Sequence, residues 1–321
     1  MPELHVIFGA GAVGQAIASE LITRDRRVRM VNRSGRRPAD LPESVEMFGG
    51  DAYNRDFARA AAEGAAVVYQ TVGLPYDQWV RRFPPLQASI LEAAGSAGAR
   101  FVVAENLYMY GDPNGQPIHE DLPFSPHTRK GKVRAAMAEA LMEAHRSGRV
   151  RAVAVRTSDF YGPAALNSTM GATVFIPAVQ GKTAAVVGNP NLPHTHTYIG
   201  DFAKAMAMLG ERPQAEGQAW HVPSGEPLTQ AELVRLFFEE IGRPFKLRSY
   251  NRLVLSLAGI FVPEARESVE MLYEFDKPFI MSSRKFEQAF GNIATPHRTA
   301  MQATAAWYQE HFSQQEKSRG A

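Results

Sequence analysis

The sequence predicts an α/β fold, a doubly wound parallel sheet with a smaller C-terminal lobe packed on it. Two observations predict this class. Short apolar runs alternate with segments of helical periodicity over residues 4–156, which is typical of strands and helices in βαβ units. A glycine-rich turn at residues 9–14 separates the first apolar run from the first helical segment, so the chain can reverse tightly between a strand and a helix.

The predicted elements follow one another through short connections. Strands are predicted at residues 4–8, 28–31, 45–48, 65–71, 100–104 and 152–156. Helices are predicted at residues 13–21, 54–62, 86–97 and 132–145. Because strands alternate with helices along this part of the chain, we expect the strands to lie parallel in one sheet.

Composition and charge narrow the class of protein. The 321 residues contain 35 Lys and Arg against 33 Asp and Glu, and this net charge of +2 gives no reason to expect nucleic acid as a partner. There is no cysteine, which excludes disulfides, zinc–thiolate sites and thiol nucleophiles. No run of 18 apolar residues is present, and strand-like sequence follows Met1-Pro2-Glu3 directly. We therefore expect a cytoplasmic monomer or homodimer that has no membrane span and binds a small molecule.

The glycine-rich turn has a specific pattern. It reads G-A-G-A-V-G, which matches the G-x-G-x-x-G motif of dinucleotide-binding βαβ units. In that motif Gly9 makes the tight turn, Gly11 lets the backbone approach a pyrophosphate, and Gly14 allows the helix to pack closely on the strand. Ala12 and Val13 stand at the start of the predicted helix, whose N-terminal end would hold the phosphates.

The domain boundaries follow from this motif. A Rossmann-type dinucleotide-binding domain is predicted over residues 1–162 and a substrate-binding lobe over residues 163–312, of which a part can return to the sheet. Residues 313–321 are predicted to form a frayed tail.

The residues after the second strand indicate which dinucleotide binds. An NAD-binding protein usually carries an acidic residue there, which holds the ribose hydroxyls. This chain instead has Asn32-Arg33-Ser34-Gly35-Arg36-Arg37, with three guanidinium groups and no carboxylate. Because arginine forks match phosphate geometry, we predict NADP as the cofactor. Asn32, Arg33 and, less directly, Arg37 or Arg36 are the expected contacts.

Three later tracts carry a resemblance to a known family: Glu105-Asn106-Leu107-Tyr108-Met109-Tyr110-Gly111, Arg156-Thr157-Ser158-Asp159-Phe160-Tyr161-Gly162-Pro163, and Trp220-His221-Val222-Pro223-Ser224-Gly225-Glu226-Pro227-Leu228-Thr229. Together with the glycine motif, they make the sequence similar to an extended short-chain dehydrogenase/reductase of the NAD-dependent epimerase/dehydratase family. The resemblance covers about residues 4–312. It implies that Asp51 approaches the adenine and that Thr71, Val72 and Gly73 pass beside the cofactor.

The active-site motif departs from that family. The family uses a Ser or Thr together with Tyr-x-x-x-Lys, whereas residues 125–132 here read S-P-H-T-R-K-G-K. Aligning Lys132 with the family lysine places Thr128 at the tyrosine position, and Asn106 stands at the serine position. The resemblance thus implies an atypical member with a rebuilt site, in which Lys132 still binds the nicotinamide ribose.

Several groups are candidates to replace the tyrosine. An aliphatic hydroxyl such as that of Thr128 is too weak an acid for this role. Tyr108 is the preferred phenol, because it lies at the C-terminal end of a strand, where ligands bind in open α/β folds. His127 is the alternative, since imidazole titrates near neutral pH. Tyr110 and Tyr161 stand where family members also carry tyrosine, usually for packing.

Asn106 is a further catalytic candidate, and two more residues are assigned to the substrate. Asn106 is expected to donate an amide hydrogen bond to a substrate oxygen. The resemblance implies that His194 lines the substrate side of the cleft, and Tyr161 is a second candidate contact of the substrate. Although His194-Thr195-His196 places two imidazoles two residues apart, no cluster of acidic or histidine ligands lies nearby in the sequence, so no metal is predicted.

Three functions are compatible with these residues. The first is an NADP-dependent oxidoreductase acting on a carbonyl or an activated double bond of a small organic substrate. The second is a non-enzymatic NADP-binding regulator, favoured by the missing tyrosine. The third is a nucleotide-sugar epimerase or dehydratase, although those enzymes depend on that tyrosine. The retained lysine and the polar Asn106 favour the oxidoreductase.

Overall fold

The computed structural model describes residues 2–259 and 263–319, which form two compact units. The first unit contains the described residues up to Gly111 together with Glu120–Thr157 and Phe202–Val222. The second unit contains Asp112–His119, Ser158–Asp201 and the described residues from Pro223 onward.

Strands and helices are numbered along the chain. The strands are β1 Leu4–Phe8, β2 Arg27–Asn32, β3 Glu46–Gly49, β4 Ala65–Gln70, β5 Arg100–Glu105, β6 Arg151–Arg156, β7 Phe160–Tyr161, β8 Ala184–Val187, β9 Pro193–His194, β10 Thr197–Tyr198, β11 Gln218–His221, β12 Leu228–Thr229 and β13 Leu247–Tyr250. The helices are α1 Ala12–Thr23, α2 Arg55–Ala62, α3 Trp79–Ser96, α4 Arg129–Arg146, α5 Ile176–Val179, α6 Ile199–Gly210, α7 Gln230–Glu240, α8 Arg252–Ala258, α9 Pro263–Val269, α10 Arg284–Phe290 and α11 His297–Arg319.

The first unit is built on a seven-stranded sheet with the order β11-β6-β5-β4-β1-β2-β3. Every neighbouring pair in it is parallel. The predicted doubly wound parallel sheet is therefore confirmed. The strand order reverses between β1 and β4, with Phe8 opposite Gln70 at their carboxyl ends. Ligands bind outside the carboxyl ends of the strands at such a switch point.

One strand of this sheet comes from the second half of the sequence. β11 pairs in parallel with β6, and Gln218 lies opposite Val153. The segment that returns to the sheet is Phe202–Val222, which carries most of α6 and the whole of β11.

Continuous apolar runs form the core of the first unit. All five residues of β1 are buried, and five of the six residues of β5 are buried as well. Strands covered on both faces need such runs, because neither face is left to water. Small residues of α2 and larger ones of α3, such as Ala61 and Ile90, pack in the same core.

α3 begins at Trp79, before the predicted start at residue 86, and contains Pro84 and Pro85. A proline inside a helix lacks the N–H that bonds to the preceding turn, so these two prolines do not favour the observed start. Packing explains the difference. The indole Nε1 of Trp79 donates to the carbonyl of Leu74 at 2.8 Å, and its ring packs edge-on against Phe83 at 5.2 Å between centroids.

The second unit has small sheets and its own core. Its three two-stranded sheets pair β10 with β7, β12 with β9, and β13 with β8. Phe175, Phe237 and Tyr308 pack their rings together in the core of this unit. α11 continues to Arg319 where the sequence predicted a frayed tail from residue 313, since this segment is rich in residues of high helix propensity. Gly320 and Ala321 lie outside the described residues.

Candidate functional site

The glycine turn between β1 and α1 is closely packed at two of its three glycines. Gly9 has φ +119°, and a Cβ there would lie 2.7 Å from Thr71 Oγ1. A Cβ on Gly14 would collide with the carbonyl oxygen of Gly9. Only glycine fits either position, so the turn brings α1 directly against the ends of β1 and β4.

Gly11 differs from the other two glycines because it faces open space. Its backbone is extended, with φ −76° and ψ −177°, and it precedes the first residue of α1 without a side-chain cap. A Cβ on Gly11 would meet no protein atom within 4 Å. The N–H groups of the first turn of α1, at Ala12 and Val13, therefore adjoin a space that a pyrophosphate can fill. These residues fit a dinucleotide.

The loop after β2 lies next to this turn, since Gly9 N donates to Val31 O at 3.0 Å. Asn32 organises the loop with both ends of its amide. Its Oδ1 accepts from Gly35 N at 2.7 Å, and its Nδ2 donates to Arg36 O at 2.8 Å. The side chain of Asn32 is thus engaged in shaping the turn.

The three arginines of this loop have different environments. Arg37 donates to the carbonyl oxygens of Pro42 at 2.6 Å and Val45 at 2.8 Å, so its guanidinium holds the loop to the backbone. Arg33 and Arg36 are exposed, and neither side chain makes an ion pair or hydrogen bond within the described residues. Two guanidinium groups therefore remain available for an anion.

The other predicted cofactor residues lie at the ends of β3 and β4. Asp51 is exposed, and its Oδ1 accepts from Tyr53 N at 3.1 Å. Thr71 Oγ1 contacts the carbonyl oxygens of both Phe8 and Gly9 at 3.2 Å. Val72 is half-buried, and a Cβ on Gly73 would meet nothing within 4 Å. The structure thus places the glycine turn and Thr71 side by side.

A second group of side chains gathers where β4 and β5 end. Short 3-10 turns follow these strands at Tyr76–Gln78 and Tyr108–Tyr110. The hydroxyls of Tyr76 and Tyr108 are 2.7 Å apart, and either atom can be the donor. We call these two residues the phenol pair. Trp79 supports it, with its ring stacked on that of Tyr108 at 6.0 Å between centroids.

The start of α4 contacts the phenol pair. Thr128 is the N-cap, and its Oγ1 accepts from Gly131 N at 3.0 Å. The cap moves the start of the helix to Arg129 from the predicted residue 132, which places Lys132 at the fourth helical position. Thr128 therefore has a structural role.

The lysines of this first turn face opposite ways. Lys130 is only 1% exposed, and its Nζ lies 4.8 Å from the centroid of the Tyr76 ring. Lys132, which the family alignment assigned to the nicotinamide ribose, is exposed, as is His127 before the cap. No hydrogen bond or ring contact joins Lys132 to the phenol pair in the described residues.

Arg134 lies one turn beyond Lys130 and is also buried. Its Nε donates to Asn106 Oδ1 at 3.2 Å, and its Nη2 donates to the carbonyl of Ala104 at 3.1 Å. Burial lowers the pKa of Arg134, and the charge of Glu105 acts in the opposite direction. Asn106 Oδ1 also accepts from Tyr108 N at 3.3 Å. Its Oδ1 thus accepts two hydrogen bonds, while its Nδ2 makes none within the described residues and can donate to another acceptor.

Tyr110 is part of a buried polar cluster. Its hydroxyl accepts from Arg156 Nη1 at 2.5 Å and lies 3.1 Å from His221 Nε2. Arg156 Nε donates to Glu105 Oε2 at 2.9 Å. Burial is the main cause that raises the pKa of Tyr110 to about 12, so its hydroxyl stays protonated well above neutral pH.

The two predicted substrate residues belong to the second unit, and both are buried there. The hydroxyl of Tyr161 lies 3.3 Å from His297 Nδ1, and burial raises its pKa. His194 Nε2 lies 2.9 Å from Asp159 Oδ2, and the ring stacks on Phe275 at 5.1 Å. Both side chains are therefore held by contacts within this unit.

Of the four predicted catalytic residues, the structure brings Asn106 and Tyr108 together and leaves His127 and Lys132 exposed. Tyr76, Lys130 and Arg134 also lie in this group of side chains but were not predicted from the sequence. The spacing of Lys130 and Arg134, four residues apart on one helical face, was a signal that could have found the two cations. Tyr76 carries no such signal.

Neither a membrane-spanning helix nor a metal site is found in the part of the chain that the structure describes. Residues 2–259 and 263–319 contain no helix that is long and apolar enough to cross a bilayer. Within the same ranges, no group of three or more His, Asp or Glu side chains is arranged to hold a metal ion.

A match to the model of a protein family shows to which family the chain belongs. The model of the NAD dependent epimerase/dehydratase family matches residues 6–222, which include the whole sheet from β2 to β11 and most of β1. The chain belongs to this family. The resemblance inferred from the glycine motif and the later tracts is thus confirmed, and binding of a nicotinamide dinucleotide follows for the family as a class.

Individual relatives point to enzymes. A 3 beta-hydroxysteroid dehydrogenase/Delta 5-->4-isomerase from Mycobacterium tuberculosis is 24% identical over 73% of this chain and 68% of its own length. A 3-diazoavenalumate denitrifying reductase from a Streptomyces species is 26% identical over 73% of this chain and 80% of its own. The epimerase Mth375 from Methanothermobacter thermautotrophicus shares the fold, with a TM-score of 0.82 and 17% identity over 99% of this chain and 95% of that one. An oxidoreductase or epimerase role fits these relatives.

Proposed function

We propose that the protein is an NADP-dependent oxidoreductase of the atypical short-chain dehydrogenase/reductase type, acting on a carbonyl or an activated double bond of a small organic molecule. The observation that carries the proposal is the ordered loop after β2. It presents two exposed guanidinium groups, Arg33 and Arg36, beside an open glycine turn, and residues 32–37 contain no carboxylate.

The cofactor-binding part of the proposal follows from these two features. The pyrophosphate lies against Gly11 and the first turn of α1, whose N–H groups and dipole favour an anion. Arg33 and Arg36 bind the 2′-phosphate of the adenosine ribose, while Asn32 and Arg37 hold the loop in shape. Asp51 lies on the adenine side, and Thr71, Val72 and Gly73 line the path toward the nicotinamide.

The catalytic part depends on the carboxyl end of β5. The bound cofactor supplies or accepts a hydride at its nicotinamide ring. The amide N–H of Asn106 donates a hydrogen bond to the substrate oxygen, which gains negative charge during reduction. Tyr108 Oη gives a proton to that oxygen, or takes one in the reverse direction.

Two measurements test this function. Calorimetric titration should give a dissociation constant for NADPH at least about tenfold lower than that for NADH, since one charge-assisted hydrogen bond contributes about 1.5–3 kcal/mol. Oxidation of NADPH should then depend on a substrate from a panel of aldehydes, ketones and enones. Equal affinity for the two cofactors contradicts the NADP assignment. Tight NADPH binding without turnover of any panel member replaces the oxidoreductase with a binding regulator.

A further inference from the structure

Three separate elements bring ionisable side chains together beside Tyr108. The turn after β4 supplies Tyr76, the turn after β5 supplies Tyr108, and the buried face of α4 supplies Lys130. We propose that Tyr76, Tyr108 and Lys130 act as one proton-donating unit, in which Tyr108 meets the substrate. This proposal rests on the proposed oxidoreductase function and names the residues that replace the family's tyrosine and lysine.

The phenol pair provides the route of the proton. When the substrate is reduced by NADPH, the O–H bond of Tyr108 breaks, its proton moves to the substrate oxygen, and the bonding electron pair stays on Tyr108 as a phenolate. Tyr76 Oη, 2.7 Å away, then donates its hydrogen bond to that phenolate oxygen. A hydrogen bond to an ionised acceptor is about twice as strong as one between neutral groups, so the pair favours the charge-separated state. A proton from water restores Tyr108 through Tyr76.

Lys130 provides the compensating charge. Its ammonium lies over the face of the Tyr76 ring and is almost fully removed from solvent, so water screens its field weakly. A cation in this position is attracted to the ring, and more strongly once negative charge is shared across the two hydrogen-bonded phenols. Lys130 therefore stabilises the phenolate relative to the neutral pair.

Arg134 has a different partner on the same helical face. Its guanidinium is held by Asn106 Oδ1 and the carbonyl of Ala104, and its Cζ stacks 5.3 Å above the Phe83 ring. Arg134 is thus a positioning residue that aims the N–H groups of Asn106, while Lys130 acts on the phenol pair. Residue 132 lies about 200° around the helix from residue 130 and faces solvent, which excludes it from both tasks.

The first test uses cofactor-free protein, so it does not depend on turnover. Tyrosinate formation is followed by ultraviolet difference spectroscopy as the pH is raised. We expect one phenol to ionise well before the others, and we expect Tyr108→Phe or Tyr76→Phe to remove that early step. Lys130→Met should move the step upward by about one pH unit or more, as for loss of an opposite charge within contact distance. Tyr250→Phe, which removes a phenol outside the pair, should leave the step in place.

Lys130→Gln is a second variant if Lys130→Met fails to fold, and Tyr76→Phe removes only one oxygen atom. An early step that is absent, or that responds to Lys132→Met and not to the Lys130 variants, overturns the proposal. In turnover, Tyr108→Phe should lower kcat by about a hundredfold or more and Tyr76→Phe by about tenfold, with the dissociation constant for NADPH unchanged.

The two proposals can fail separately. An early ionisation that depends on Tyr76 and Lys130, in a protein that reduces no carbonyl or enone, refutes the oxidoreductase function and confirms only the coupled ionisation of the three side chains. Substrate reduction that is unaffected by Tyr76→Phe and by the Lys130 variants refutes the unit and leaves the function standing.

Discussion

A Cβ placed on Gly131 would lie 2.6 Å from the carbonyl oxygen of Tyr108. The first turn of α4 is therefore in direct backbone contact with the turn that carries the phenol pair, and any side chain at residue 131 would push the two apart. The same contact keeps Lys130 over Tyr76, because both lysine and glycine belong to the first turn of one helix.

Gly131→Ala should test this contact. The methyl group forces either α4 or the Tyr108 turn to move, and we expect a loss of about 1–3 kcal/mol in the free energy of unfolding, measured by urea denaturation. Gly11→Ala is the matched control, because its Cβ meets no protein atom within 4 Å at an ordinary φ of −76°. Equal stabilities of Gly131→Ala and the unmodified protein would show that the contact is not tight in solution.

Gly11→Val should abolish dinucleotide binding while the fold is retained. The fold has room for the side chain, since nothing lies within 4 Å of a Cβ at this position, but the branched group occupies the space assigned to the pyrophosphate. Calorimetry with NADPH measures the loss, and the circular dichroism spectrum reports the fold. Unchanged binding would place the dinucleotide elsewhere.

Substitution of the exposed loop arginines should erode selectivity between the cofactors. We expect Arg33→Ala or Arg36→Ala to raise the dissociation constant for NADPH by about tenfold or more and to leave that for NADH unchanged. Arg149→Ala is the control, because this exposed arginine precedes β6 and so lies at the amino ends of the parallel strands, opposite to the glycine turn. An equal loss for both cofactors would assign these arginines to general charge attraction.

Thr128→Ala separates the structural cap from chemistry. Loss of the hydrogen bond from Gly131 N to Thr128 Oγ1 should lower the free energy of unfolding by about 1 kcal/mol. Turnover at a temperature where the variant is folded should change little, since the hydroxyl is committed to the cap. Thr128→Ser keeps the oxygen and is expected to restore stability. A large fall in kcat for Thr128→Ala at preserved stability would favour an alignment that makes Thr128 catalytic.

Stability should fall as the pH is lowered below neutrality, partly through His5. Burial is the main cause that lowers the pKa of His5 from 6.5 to about 4. Between pH 6.5 and pH 4 the unfolded chain therefore binds a proton at this histidine, and the folded chain does not. The contribution of the neutral His5 to the free energy of unfolding is thus fully present above pH 6.5 and is lost progressively toward pH 4. The shift corresponds to about 3 kcal/mol. A plot of the denaturation midpoint against pH should be flatter in this window for His5→Gln than for the unmodified protein. The plot should keep its slope for His119→Gln, which changes an exposed histidine.

The sheet could be predicted because its signals are local. Apolar runs bounded by glycine predict strands such as β1 and β5, and helical spacing predicts the helices that follow. Gly9 and Gly14 are required by backbone contacts that no other residue permits. The start of α3 was wrong because the packing of Trp79 outweighs two prolines, and that packing depends on residues distant in sequence.

The surroundings of Tyr108 were only partly predictable for the same reason. Its position after β5 follows from the strand pattern, but its partner Tyr76 arrives from the turn after β4 through tertiary packing. Lys132 was assigned by matching the spacing of a family motif, whereas the lysine that contacts Tyr76 in the structure is Lys130. A helix starting at the Thr128 cap would have placed Lys130 and Arg134 on one face.

The pairing of β11 with β6 has a consequence for how the chain folds during its synthesis. The ribosome releases β1 to β6 first, but the edge of β6 stays without its neighbour until Gln218–His221 has been synthesised. A protein cut at residue 162 would expose that edge to other chains, which is a route to aggregation. The nucleotide-binding half is therefore not a portable module, and any attempt to transplant it into another protein must carry Phe202–Val222 with it.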